Sequence, residues 1–143
     1  MRKIAEEIEE DIFKLVKASS IASGISGGVY HNGIRPFNST SEDAVINFLT
    51  GIDGQKQAGV LNINIYVPDI DSGGELLVKD ILRCKQVGVL LKDFKESLMG
   101  SRINTERNGY WFKPNGDLIR TYEEKDINQH YLNLRLEFEY LTI

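Results

Sequence analysis

Two histidines, one cysteine and several groups of carboxylates are the residues of this 143-residue chain whose types could carry chemistry. His31 and His130 stand far apart, and neither has a second ligand at zinc spacing, so no metal centre is expected. Cys84 falls on the apolar side of a helical repeat, where a buried core thiol is a simpler reading than a nucleophile. Gly24-Ile25-Ser26-Gly27-Gly28 precedes a strand, whereas a phosphate loop joins a strand to a helix, so it reads as a flexible turn. Asp69-Ile70-Asp71-Ser72-Gly73-Gly74-Glu75 begins like a calcium loop with Gly74 at the turn position. Its fifth position is Gly73, however, and its twelfth is Asp80 where a bidentate Glu is required. Helix capping accounts for the same residues. Asp117, Glu123, Glu124 and Asp126 read as a solvated charge run in a hairpin and loop. Arg102, Arg107, Lys113 and Arg120 surround Trp111, but interleaved acids favour ordinary surface or interface charge over a nucleic-acid patch. No catalytic set, metal or cofactor is expected, and the chain does not read as an enzyme.

Composition narrows the classes further. Seventeen basic against twenty-one acidic side chains give a net charge of −4, which argues against a dedicated duplex-binding surface. A single cysteine cannot form an internal disulfide, so nothing points to secretion. The chain opens on an acidic amphipathic pattern rather than a signal peptide, and no apolar run approaches the roughly 18 residues of a membrane span. A soluble protein of a reducing cytoplasm, with no membrane partner, is expected.

The elements that position these residues follow from periodicity. Residues 3–18 predict an amphipathic helix, with Ile4, Ile8, Ile12, Leu15 and Val16 on one side and Glu6, Glu7, Glu9 and Glu10 elsewhere. Short strands are expected at 29–31, 44–50 and 59–67. Ser72 and Glu75 form a capping-box pattern that predicts one long helix to about Met99, roughly 37 Å. On that helix Leu76, Leu77, Ile81, Cys84, Val87, Leu91, Phe94 and Leu98 form a broad core face. Val78, Leu82 and Val89 form a second stripe, either covered by sheet, simply exposed, or in contact with another subunit. Gly88 either bends the helix or admits a close neighbour. Tyr110-Trp111-Phe112 and Leu118-Ile119 flank Pro114-Asn115-Gly116-Asp117, a hairpin signal. The last strand alternates Leu132, Leu134, Leu136, Phe138 and Tyr140 against Asn133, Arg135, Glu137 and Glu139. One α+β domain over residues 1–143 is expected: a mainly antiparallel sheet with an N-terminal helix and one long central helix packed on one face.

The most informative pattern is in the third strand. Leu61, Ile63, Ile65 and Val67 point one way, and Asn62, Asn64 and Tyr66 point the other. Asparagine is a poor strand former, so its repetition marks a face that water or a neighbouring chain must satisfy.

Gly28-Val29-Tyr30, Pro36, Asn38-Ser39, Glu42-Asp43-Ala44-Val45-Ile46-Asn47 and Gly59-Val60-Leu61-Asn62-Ile63-Asn64-Ile65-Tyr66-Val67-Pro68, in this order of elements, resemble the small tail-completion proteins of tailed bacteriophages. These are tail-terminator or head–tail joining proteins of phages and prophages. The resemblance spans nearly the whole chain and is strongest at Tyr66-Val67-Pro68-Asp69. It implies a homo-oligomeric ring, usually a hexamer, assembled in a bacterial host's cytoplasm and found at the head–tail junction of the virion. Such a ring caps the tail tube protein, meets the head–tail connector and lets DNA pass without specific binding. A ring needs two unlike patches per subunit. Asn62, Asn64 and Tyr66 supply one candidate patch, and Val78, Leu82 and Val89 the other. Glu137 and Glu139 are candidates for a weakly repulsive lumen lining. A soluble non-viral protein-binding module, using the Asn-bearing strand or the Trp111 hairpin, is the alternative. An enzyme using acids at Asp69–Glu75 or Asp117–Asp126 is a third, and requires perturbed carboxylates converging in one pocket.

Overall fold

Alternation in the third strand translates directly into burial. Leu61, Ile63, Ile65 and Val67 are buried, and Asn62, Asn64 and Tyr66 lie half-buried on the other side. The computed structural model describes residues 2–99, 109–113 and 118–141. Within them the strands are β1 (Val29–His31), β2 (Ala44–Ile52), β3 (Lys56–Pro68), β4 (Tyr110–Lys113), β5 (Arg120–Glu124) and β6 (Gln129–Leu141). They form one sheet in the order β1-β2-β3-β6-β4, with β5 also on β6. β1 and β2 are parallel and every other named pair is antiparallel. The helices α1 (Ala5–Lys17), α2 (Ser20–Gly24) and α3 (Ile81–Leu98) bury Ile8, Ile12 and Val16, Ile21, and Cys84, Val87, Leu91, Phe94 and Leu98 in one core with the sheet. The fold is α+β, as expected, with the helices on one sheet face.

The spine is the β3–β6 pairing, in which Leu61 faces Leu136, Ile63 faces Leu134 and Ile65 faces Leu132. Each pair stacks two aliphatic side chains on the core side of the sheet. Leu134 is fully buried. Leu134→Ala is expected to lower unfolding free energy by about 2–5 kcal/mol in urea titration; a loss well under 1 kcal/mol would show that the site collapses around the cavity.

Two expectations are corrected. The central helix does not begin at Ser72: α3 starts at Ile81, and Asp80 caps it by accepting the Arg83 N–H at 3.1 Å. Gly73 takes a φ of +93°, Asp71 Oδ1 accepts its N–H, and Ile70 pairs with Val78 across a short bridge. A left-handed glycine and a closed local bridge divert the backbone before helix can form. Eighteen residues give a helix of about 27 Å, and Leu76 and Leu77 lie off it, exposed instead of in the core. Secondly, β4 and β5 are not arms of a hairpin. Both run antiparallel to β6 along the same edge, so they point in one direction; the turn residues 114–117 lie outside the described residues. Between α1 and the glycine-rich turn, α2 is capped by the Ser19 hydroxyl, which accepts the Ile21 N–H at 3.2 Å. Gly88 admits a close neighbour: a Cβ there would sit 3.1 Å from Leu132.

Candidate functional site

With all helices on one side, the other sheet face has no covering layer among the described residues, and register decides what it presents. Tyr66 of β3, Tyr131 of β6 and Tyr122 of β5 are aligned across three strands. Their rings follow at 5.3 and 5.4 Å between centroids, and the Arg35 guanidinium lies 4.1 Å over Tyr66. One step along, Asn64, Asn133 and Arg120 are aligned, and Asn133 donates to Asn64 Oδ1 at 2.7 Å. Asn62 faces Arg135. Asn62, Asn64 and Asn133 therefore lie in one polar depression of about 410 Å³ with Arg120, Tyr122, Tyr131 and Arg135. Within the chain, Asn64 Oδ1 is satisfied by another asparagine.

Two ion pairs, each of a buried carboxylate with a partly exposed arginine, hold the loop that frames this face. Arg35 Nε donates to Asp43 Oδ2 at 2.9 Å, and its terminal nitrogen donates to Gln129 Oε1 at 2.8 Å. Asp43 also accepts the Gly28 N–H at 3.0 Å and the Ser39 hydroxyl. Burial pushes the Asp43 pKa up, but the Ser39, Gly28 and Arg35 donors together outweigh it and leave it below the ordinary value. A Cβ at Gly27 would overlap the Asp43 carboxylate and the Glu42 carbonyl, so only glycine fits there. The second pair joins Arg83 of α3 to both Glu42 oxygens and to the Gly24 carbonyl. The Arg83 hydrogen bond holds Glu42 below the usual carboxylate range. Neither arginine was legible as a site residue, because Asp43 and Glu42 meet them only through tertiary structure.

The candidate residues separate into two groups on opposite sides of the sheet. Glu137 and Glu139 share the open face with Asn62, Asn64 and Tyr66, at the far end of the same strands. Glu139 is ion-paired to Lys56 at 2.7 Å and approached by Lys113 at 3.8 Å, and the Lys56 hydrogen bond lowers its pKa. Its charge is locally compensated. Leu82 and Val89 lie on the exposed side of α3, whereas Val78 precedes the helix. Val89 lines a groove of about 640 Å³ between α3 and the edge strand β5. Its floor includes Cys84, Gly88 and Leu132, and Lys79, Lys85 and Lys92 line it too. The sequence reading missed this groove; the seven-residue spacing of Lys85 and Lys92 was the available signal.

The residues first weighed for chemistry have structural partners. His31 bonds Glu9 at 3.0 Å and Glu10 at 2.7 Å and stacks on Phe13. His130 bonds Asp69 at 2.6 Å, which ties the segment after β3 to β6. Burial raises the Cys84 pKa and keeps the group as a thiol. Asp71 forms a turn and Asp80 caps α3, so the calcium-like acids are used locally. Among the described residues no three His, Cys, Asp or Glu side chains are grouped to hold a metal ion, and no helix is long and apolar enough to cross a membrane. Arg102, Arg107 and Asp117 lie outside the described residues.

Compared with models of protein families the chain matches none, and no curated protein matches it.

Proposed function

We propose that this chain is a structural subunit that works by self-assembly, as a phage or prophage tail-completion protein forming a ring on the tail tube and joining it to the head. The supporting observation is the apolar band at the start of α3. Leu76 is 80% exposed, Ile81 71% and Leu82 68%, with Ile70, Leu77 and Val78 beside them in the chain and also exposed. A concentration of large aliphatic side chains in water marks an interaction surface more than a scatter of single ones would. The sequence resemblance supplies the kind of assembly, a closed ring with tube protein on one side and connector on the other, and DNA passing without specific binding.

Mass measurement with negative-stain imaging of the concentrated protein tests this. Annular particles of six 16.2 kDa copies, on the order of 100 kDa, are the expected result; a single subunit at every concentration would overturn it. Leu82→Glu is expected to prevent assembly while leaving the thermal melt of the monomer within a few degrees, because the side chain is solvent-facing. A collapsed melt would mean that Leu82 is a core residue.

One observation favours a second reading. The open face carries exposed Tyr122 in the polar depression and exposed Trp111 at its other end, opposite Glu139, and aromatic residues are enriched at partner-binding surfaces. A non-viral protein-binding module would use that face and remain monomeric.

A further inference from the structure

We propose that the groove between α3 and β5 receives the acidic α1 of a second copy, as the head-to-tail contact of the ring; this rests on the self-assembly reading above. The groove offers a mainly basic lining, with Glu96 as an acid toward the C-terminal end of α3, together with apolar surface. Lys85 and Lys92 stand two helical turns apart with exposed Val89 between them, and Lys79 stands at the N-terminal end. Lys79, Lys85 and Lys92 have no ion-pair partner among the described residues. Exposed Ile81 and Leu118 extend the apolar lining.

The complementary surface is α1. Its sequence begins Ala5-Glu6-Glu7-Ile8-Glu9-Glu10-Asp11, and Glu6 and Glu7 are exposed. Glu10 touches His31 but keeps 44% of its side chain in solvent. Glu6 and Glu10 are one turn apart and so present two carboxylates on one side of the helix. Exposed Ile4 precedes them, giving the acidic helix an apolar tip to set against the groove floor.

Topology separates the two surfaces. α1 packs on β1 and β2, at one edge of the sheet, whereas α3 packs on β6 and β3 and its groove opens at the β5 edge. In the head-to-tail arrangement a pair of copies does not close both contacts at once, because the two surfaces lie at opposite edges of the sheet. Each contact leaves one α1 and one groove free, which is the heterologous arrangement that extends until it closes. Equivalent faces meeting, lysine on lysine or glutamate on glutamate, would repel.

Charge reversal tests the contact. Lys85→Glu with Lys92→Glu in one variant, and Glu6→Lys with Glu10→Lys in another, are each expected to sediment as single subunits. Mixed one to one, they are expected to regain wild-type assembly, because each reversed helix now meets a reversed groove. If the lysine variant assembles alone as the wild type does, this contact is wrong and the ring reading stands. If the wild type never assembles, both fail. Salt gives an answer independent of either variant's folding: raising NaCl from about 0.05 to 0.5 M is expected to weaken wild-type association on the order of tenfold, since screening lengths fall to a few ångströms. Association unchanged or strengthened by salt would overturn the proposal.

Discussion

Asp43→Ala is expected to cost about 3–5 kcal/mol in urea unfolding, the range for breaking a buried ion pair from one side. The carboxylate is 1% exposed and satisfies the Gly28 N–H, the Ser39 hydroxyl and Arg35 Nε. Alanine leaves a mostly buried guanidinium beside an apolar methyl group, and the remaining Gln129 and backbone acceptors carry no compensating charge. Asp43→Asn keeps the volume and an acceptor, so a smaller loss is expected. Should alanine and asparagine cost the same small amount, the Arg35 network would be decorative. The loss also reaches the open face, because Arg35 is held over Tyr66 by these same bonds.

The same pair sets an acid limit. Glu42 and Asp43 both titrate below their ordinary values in the folded chain. Between the folded and unfolded values the unfolded chain binds more protons, so stability rises with pH across that window. Their contribution is therefore complete above about pH 4.5, the ordinary carboxylate range, and is lost as pH falls through the lower folded values. Unfolding measured from pH 7 down to 3 is expected to show this decline, with a shallower slope in Asp43→Ala. An unchanged slope would assign acid sensitivity to other carboxylates.

What was legible in the sequence is what depends on period and burial alone. β3 and β6 alternate strictly, and a one-residue slip would turn every aliphatic side chain to solvent, so their faces follow from the pattern. α1 was legible for the same reason. The start of α3 was not, because two capping patterns compete: Ser72 with Glu75, and Asp80 with the Arg83 N–H. Local signals are nearly equal there, and a left-handed Gly73 with the Ile70–Val78 bridge decides between them. Pro114-Asn115-Gly116-Asp117 announces a turn but carries no information about whether the next strand returns on β4 or continues along β6. The open face bearing Asn62, Asn64 and Tyr66 was readable from one strand. The lysine-lined groove was not, since β5 meets α3 only after the edge of β6 is filled.

Phe138→Ala is expected to cost about 3–5 kcal/mol, and a partner substitution identifies why. Phe138 is 1% exposed and meets Tyr110 edge-on at 5.8 Å and Phe48 at 6.3 Å. Opposite it, Gly59 pairs in register with both Phe138 and Gly51. A Cβ on Gly59 would fall 2.9 Å from the Phe138 ring and 2.6 Å from the Thr50 carbonyl, and one on Gly51 would fall 2.8 Å from the Phe48 ring. The two glycines thus vacate the space that two aromatic rings occupy, and Gly59→Ala alone is expected to cost about 1–3 kcal/mol by overpacking. Removing the ring removes one of its two clashes, while the clash with the Thr50 carbonyl persists. The double variant Gly59→Ala/Phe138→Ala is therefore expected to lose less than the two single losses combined, by at least about 0.5 kcal/mol. Strict additivity would mean that the glycine serves the backbone at Thr50 and not the aromatic cluster.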